Sequence, residues 1–156
     1  MSSSDTATRG TGSTSPAPAA GLTLTALADI VAVSVFVLIG RASHHNGYAL
    51  LGLGQALWPF LAGAAVGWSI VYVYSHVGSS DWFGRDFRPE RVVPGGLAIW
   101  FCTVTVGMIL RYLFHEGIAV SFVIVATIAL GVFLLGWRTA AAIIARRNHT
   151  TPPAAD

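Results

Sequence analysis

Asp29 and Arg138 are two of the charged residues that lie within or directly beside long apolar runs of this sequence. Asp29 is the only carboxylate inside such a run, and Arg138 closes the last one. A charged side chain within a bilayer costs several kcal/mol unless it is paired, hydrated or protonated. Helical side chains lean toward the N-terminus of their helix, so Arg138 leans back into the run that it ends. The pattern predicts an ion pair that locks two helices, and the alternative is a proton- or ion-carrying role for Asp29.

A second polar group lies where other apolar runs end. Its members are arginines, histidines and one carboxylate: Arg41, His44, His45, Arg111, His115 and Glu116. Arginine binds phosphate and carboxylate groups through paired N–H donors, so the group predicts a site for a small anion or a lipid headgroup. One alternative is a metal site built from His44 or His45 with His115 and Glu116. The other is a set of side chains that reach individually toward headgroups.

Two small-residue patterns indicate close helix packing. Four residues recur at four-residue spacing and form one stripe on a helix: Thr103, Gly107, Arg111 and His115. Such a stripe is expected to face protein, with Thr103 as a polar group inside the membrane. Gly63-x-x-x-Gly67 lets a second backbone approach closely. A neighbour within the same chain is favoured over another copy.

Composition excludes several functions. All nine basic residues are arginine, so no lysine is present to form a Schiff base or a phosphate loop. A formal net charge of +2, spread along the chain, does not indicate a nucleic-acid partner. Cys102 is the only cysteine, cannot form an internal disulfide, and is expected to pack as a small hydrophobic residue. No nucleophile motif or nucleotide loop is present, so we predict no cofactor and consider an enzyme the least favoured class.

The elements that must position these residues are membrane helices. Hydrophobic residues make up 54% of the chain and charged residues only 10%, with a mean hydropathy of +0.65. Four apolar runs of about 20 residues are each long enough to cross the hydrocarbon core. They are residues 22–40, 55–74, 95–114 and 118–137, the last with an extension toward 145. The prediction is an all-α, up-down-up-down bundle over 22–145, with disordered tails at 1–21 and 146–156.

Local signals refine the helix boundaries. Pro59 is expected in the first turn of the second helix, where its missing N–H costs nothing. Residues 47–54 are apolar but interrupted by glycine, and a separate interfacial helix is left open there. Only residues 115–117 separate the third and fourth runs, so these two helices are expected to be antiparallel neighbours.

Arginine placement predicts orientation. Seven arginines lie in the N-terminal tail, the 75–94 loop and the C-terminal end, whereas only Arg41 and Arg111 lie on the other side. Positively charged segments remain in the cytoplasm, so both termini are expected there, in a multi-pass protein of the plasma membrane.

Several short motifs, in order along the chain, resemble one bacterial family. They are Gly40-Arg41-x-Ser43-His44, Trp58-Pro59-Phe60-Leu61-x-Gly63, Gly107-Met108-x-x-Arg111, Ser121-Phe122-Val123 and Gly136-Trp137-Arg138. The family is the one catalogued as domain of unknown function 3054, common in actinobacteria, and the resemblance covers residues 24–147. It implies a four-helix protein of the plasma membrane and carries no known activity.

The residues favour a binding role over catalysis. The leading hypothesis is a membrane protein that binds a small anionic or lipid-like ligand at its outer end. The alternative is a structural or accessory subunit that holds a membrane partner or a second copy through its glycines. A transporter component or a membrane enzyme is less favoured, since four helices are few for a pore.

Overall fold

The protein is a bundle of four long helices. The computed structural model describes residues 18–42, 50–77, 88–115 and 118–149. The helices are α1 (Pro18–Ala42), α2 (Leu50–Val77), α3 (Leu97–Leu113) and α4 (Val120–His149), and a short irregular segment, Val92–Gly96, leads into α3. No strand occurs within the described residues. Each helix, with the irregular segment added to α3, is long and apolar enough to cross a membrane. The predicted all-α class with four such helices is confirmed.

Contacts along the helices show that successive helices run antiparallel. Between α1 and α2, Asp29 meets Trp68 at one level and the Phe36 ring meets Phe60 at another. The same opposed order joins α3 to α4, where Trp100 contacts Thr127 and Arg111 contacts Phe122. Since Asp29 also contacts Arg138 of α4, the bundle closes in the order α1, α2, α3, α4.

The closest helix contact is between α2 and α3, and glycines make it. A Cβ atom added to Gly63 would lie 2.8 Å from the Thr103 carbonyl oxygen, and one added to Gly67 would lie 2.7 Å from the Ile99 Cα. A Cβ on Gly107 would lie 2.7 Å from the Phe60 ring. The neighbour of Gly63-x-x-x-Gly67 is therefore a helix of the same chain, as the sequence favours.

The glycines of this contact are part of a core that runs along the bundle axis. Phe36, Phe60, Leu130 and Leu134 are buried in it. The outward faces are also apolar, and Val125 and Phe101 are 59% and 62% exposed. A helix that is apolar on all sides is typical of a membrane span.

Several predicted boundaries are wrong. α2 begins at Leu50, so Pro59 lies well inside it and not in its first turn. The proline lacks an N–H, which leaves the Gln55 carbonyl without its usual partner four residues on. Residues 50–54 belong to α2 and form no separate helix, and residues 47–49 lie outside the described part.

The prediction of disordered tails is wrong for the residues next to the bundle. Residues 18–21 belong to α1 and residues 146–149 to α4, so these parts are helical. Pro18 opens α1, and proline is well suited to a first helical position because its φ is already helical. Residues 1–17 and 150–156 lie outside the described residues. At the α3–α4 turn, His115 has φ of 58°, the left-handed conformation that commonly follows the end of a helix.

Candidate functional site

Asp29 and Arg138 form a buried, two-pronged ion pair. The Arg138 Nη1 donates to Asp29 Oδ1 at 2.7 Å and Nη2 donates to Oδ2 at 2.8 Å. Asp29 is 3% exposed and Arg138 is 1% exposed. The contact predicted from the sequence is thus present, and its planar, bidentate geometry is the strongest form of an arginine–carboxylate contact.

Two tryptophans complete the hydrogen bonding of the carboxylate. The Trp68 Nε1–H donates to Oδ2 at 2.9 Å, and the Trp137 Nε1–H donates to Oδ1 at 3.0 Å. Each carboxylate oxygen therefore accepts two hydrogen bonds. A carboxylate has about four acceptor positions, so all of them are used. We call Asp29, Trp68, Trp137 and Arg138 the Asp29 cluster.

Arg138 is held by further contacts beyond the carboxylate. Its Nε donates to the Pro89 carbonyl at 2.9 Å, and Nη1 also donates to the Leu134 carbonyl at 2.8 Å. The guanidinium carbon lies 4.5 Å from the Trp137 ring centre. A Cβ added to Gly96 would lie 2.7 Å from Arg138 Cδ, so only glycine leaves room for this side chain. The cluster thus ties α1, α2, α4 and the chain before α3 together at one level.

Three members of this site were not predicted from the sequence: Trp68, Trp137 and Pro89. The two tryptophans carried a usable signal, since a buried indole N–H needs an acceptor and Asp29 is the only carboxylate in a span. Pro89 carried none, because its contribution is a backbone carbonyl placed by the tertiary fold.

Arg41 and Arg111 lie at the opposite end of the bundle from the cluster. They occupy the last turns of α1 and α3, whose C-terminal ends point the same way. The guanidinium of Arg41 lies against the start of α2, where a Cβ on Gly52 would be 2.7 Å from Nη2. The guanidinium carbon of Arg111 lies 4.8 Å from the centre of the Phe122 ring, at the start of α4. We call this end of the bundle the Arg41 end.

The remaining candidates at the Arg41 end are only partly described. His115 is exposed and follows α3. His44, His45 and Glu116 lie outside the described residues. In the part of the chain that the structure describes, no three potential metal ligands lie together.

The stripe on α3 faces protein over its inner two positions. Thr103 is fully buried against α2, and its hydroxyl donates to the Ile99 carbonyl at 2.7 Å. Gly107 lies against Phe60. Cys102 is partly buried beside Gly67, in keeping with a packing role. Thr103 and Gly107 therefore serve the α2–α3 contact, and only Arg111 and His115 extend the stripe to the Arg41 end.

The helices and the buried cluster define a class: an all-α bundle of four potential membrane spans with a charged lock inside it. The family model described as "Protein of unknown function (DUF3054)" matches residues 26–141. The chain belongs to this family. The match begins just before Asp29 and ends just after Arg138, so it includes the whole cluster. No curated protein and no solved structure matches the chain.

Proposed function

We propose that this protein is an integral protein of the plasma membrane that binds an anionic group at its Arg41 end. The ligand chemistry is a phosphate or a similar anion, carried by a lipid headgroup or by a small solute. The observation that supports the proposal most is that Arg41 and Arg111, from two different helices, both lie at one end of the bundle. Both termini are then cytoplasmic, and the Arg41 end faces outward.

The surface of the bundle supports placement in a membrane. Four helices are long and apolar enough to span one, and large apolar side chains such as Ile128 and Val132 are more than 60% exposed. At the Arg41 end the exposed rings of Trp58 and Phe114 pack edge to face with centres 4.9 Å apart. Phe114 directly follows the last residue of α3, and aromatic rings at the end of a span are typical of the membrane–water interface, which is where lipid headgroups lie.

The local surroundings of the two arginines favour anion binding. Gly52 places no side chain between its backbone and the Arg41 guanidinium. Arg111 lies over the flat face of Phe122, a contact that orients the guanidinium. The planar guanidinium matches the geometry of a phosphate group. A phosphate that joined the two would receive charge-assisted hydrogen bonds from both side chains.

The Asp29 cluster supports a locking role over a proton- or ion-carrying one. A proton carrier must gain and lose a proton, and all four acceptor positions of Asp29 are already used by N–H donors. Protonation would convert one acceptor position into a donor and break at least one of these bonds. The ligand site is therefore proposed at the Arg41 end and not at the cluster.

Native mass spectrometry tests the ligand. The full chain is taken from bilayers that contain phosphatidylglycerol and phosphatidylcholine, and bound lipids are counted for the parent and for R41Q/R111Q. We expect the double variant to lose selective retention of the anionic lipid. The matched control R146Q/R147Q, at the opposite end, should retain it. A second arm adds inorganic phosphate to protein in phosphatidylcholine alone, where binding that depends on Arg41 and Arg111 would indicate a small anion.

Folding must be separated from binding, because Arg111 contacts Phe122. Lipid retention is therefore also measured for R111K, which keeps the positive charge, and for the single variant R41Q. Only variants whose melting temperature is close to that of the parent protein are interpreted. Unchanged retention of both anions in a folded R41Q/R111Q variant would contradict the proposal.

Reporter fusions test the orientation. A reporter that is active only outside the cytoplasm should be silent at residues 12, 80 and 150 and active near residue 46. Activity at either terminus would refute the proposed placement.

A further inference from the structure

Three helices extend well past the level of the Asp29 cluster, whereas α3 begins at that level. Gly96, which precedes α3, lies directly against Arg138. From the cluster, α1 continues to Pro18, α2 to Val77 and α4 to His149. At 1.5 Å per residue these extensions are about 13–17 Å long. Within the described residues, three helices and not four therefore lie on the cytoplasmic side of the cluster.

Apolar side chains on these extensions indicate that the membrane also continues past the cluster. Leu24 and Leu27 of α1 are 69% and 52% exposed, Val73 of α2 is 56% exposed, and Ile143 and Ile144 of α4 are about half exposed. The long apolar run of α1 begins at Leu22, seven residues from Asp29, or about 10 Å along the helix. The cluster is thus about 10 Å inside the hydrocarbon region.

The chain before α3 fills the missing position as an irregular turn. The carbonyl of buried Pro89 accepts from Arg138 Nε at 2.9 Å, which fixes the turn at the level of the cluster. The Arg91 N–H donates to the Arg88 carbonyl, and the Gly96 N–H donates to the Arg91 carbonyl. Val93, between them, is extended. Irregular backbone at membrane depth occurs only where it is buried in protein or lines a water-filled cavity.

The same turn carries exposed charges at this depth. The side chains of Arg88 and Glu90 are 54% and 45% exposed and lie 3.8 Å apart, and Arg91 is exposed beside them. An arginine can extend its long stem to reach headgroups. The shorter Glu90 side chain cannot cover the distance, and a carboxylate in hydrocarbon would be costly. Water must therefore reach Glu90.

We infer that the turn of residues 88–96 is re-entrant and forms the floor of a water-filled recess that opens to the cytoplasm. This inference rests on the membrane placement proposed above. Arg88, Glu90 and Arg91 line the recess, which admits water and small hydrophilic solutes to the level of the Asp29 cluster. The cluster closes its inner end, because the Arg138–Pro89 contact holds the turn in place and every acceptor position of Asp29 is used.

Single-cysteine labelling tests the recess. On a C102A background, E90C, R91C and V93C are placed in the turn, I30C at the level of the cluster on a lipid-facing position, and R146C at the cytoplasmic end. A charged, membrane-impermeant thiol reagent is applied to inside-out vesicles. We expect the three turn variants to react within about tenfold of R146C, and I30C to react about 100-fold more slowly, because the reactive thiolate does not form in hydrocarbon.

The controls separate the two ways in which the inference can fail. Turn variants as slow as I30C, with R146C fast, would overturn the recess and leave the membrane placement standing. Fast reaction at I30C would overturn the membrane placement and the recess with it. Three turn positions are used so that one misfolded variant does not decide the result, and each must melt near the C102A parent.

Discussion

The Asp29 cluster and the Arg41 end of the bundle both hold arginines, but they hold them differently. Arg138 is buried between a carboxylate, two backbone carbonyls and an indole ring. At the Arg41 end, the guanidinium of Arg41 lies against a glycine and that of Arg111 lies over a phenylalanine ring. Both are more exposed than Arg138.

An arginine near a membrane can serve either of two purposes. A guanidinium that is neutralised and fully hydrogen-bonded inside the protein fixes helices in place, and removing its partner leaves a buried charge. A guanidinium at a helix end, over an aromatic ring or against a glycine, has the planar shape that binds an external anion through paired hydrogen bonds. Changes at the cluster should therefore affect stability, whereas changes at the Arg41 end should affect binding.

The largest effect is expected at the carboxylate. D29N removes the charge that neutralises Arg138 and should lower the free energy of unfolding by about 3–5 kcal/mol. Thermal melting in detergent measures the loss, with exposed R146Q as the control, expected within about 0.5 kcal/mol of the parent. A D29N protein as stable as R146Q would mean that Arg138 contributes no more to stability than an exposed arginine does.

Substitutions of the tryptophans remove the hydrogen bonds to Asp29 one at a time. W68F and W137F each remove an N–H donated to a carboxylate and should cost about 1.5–3 kcal/mol. W100F removes an N–H donated to the neutral Thr127 carbonyl and should cost about 0.5–1.5 kcal/mol. Equal losses in the same melting series would argue against a special role for the charged acceptor.

The α2–α3 contact connects the two ends and should depend on its glycines. A methyl group at Gly67 would meet the Ile99 backbone, so G67A should cost about 1–3 kcal/mol through overpacking. Gly54, on the same helix, has nothing within 4 Å of an added Cβ. G54A should leave stability unchanged or raise it by up to about 1 kcal/mol, because alanine favours helix more than glycine does. A G67A protein as stable as the parent would mean that α2 and α3 can move apart without a loss of stability.

The smallest differences in stability are expected for two glycines, Gly96 beside the Asp29 cluster and Gly52 at the Arg41 end. A Cβ on Gly96 and a Cβ on Gly52 would each lie 2.7 Å from an arginine side chain. Arg138 cannot move without breaking its bonds, so G96A should cost about 1–3 kcal/mol. Arg41 would be met at the far end of its flexible side chain, so G52A should stay within about 0.5 kcal/mol of the parent. The reverse order of melting temperatures would contradict the proposed difference between the ends.

Much of the fold could be predicted because the membrane imposes simple rules. Apolar run length predicts four spans, and a lone buried carboxylate needs a cation, for which leaning side chains single out Arg138. The start of α2 was harder, since glycines such as Gly52 and Gly54 weaken a helix in water. In an apolar environment unpaired backbone groups cost more than that weakness, which favours continued helix.

The rest of the site could not be predicted because it depends on tertiary placement. Trp68 reaches Asp29 from 39 residues away, and Pro89 contributes only its backbone. Gly96, directly before α3, is required by the Arg138 side chain, which a Cβ there would meet. Pro89 and Gly96 have no pattern in the residues nearby. The indole N–H of Trp68 indicates that an acceptor is needed, but the sequence does not indicate which of the five tryptophans reaches Asp29.

A double-mutant cycle on Asp29 and Arg138 is the direct test of whether this ion pair holds the helices together. D29N, R138Q and the double variant are melted in the same detergent beside the parent protein. If the pair is a lock, R138Q also destabilises the bundle, and the double variant recovers part of the summed loss, with a coupling free energy of about 0.5–3 kcal/mol. Losses that simply add would mean that the two side chains contact each other without holding the bundle together, and would contradict the account.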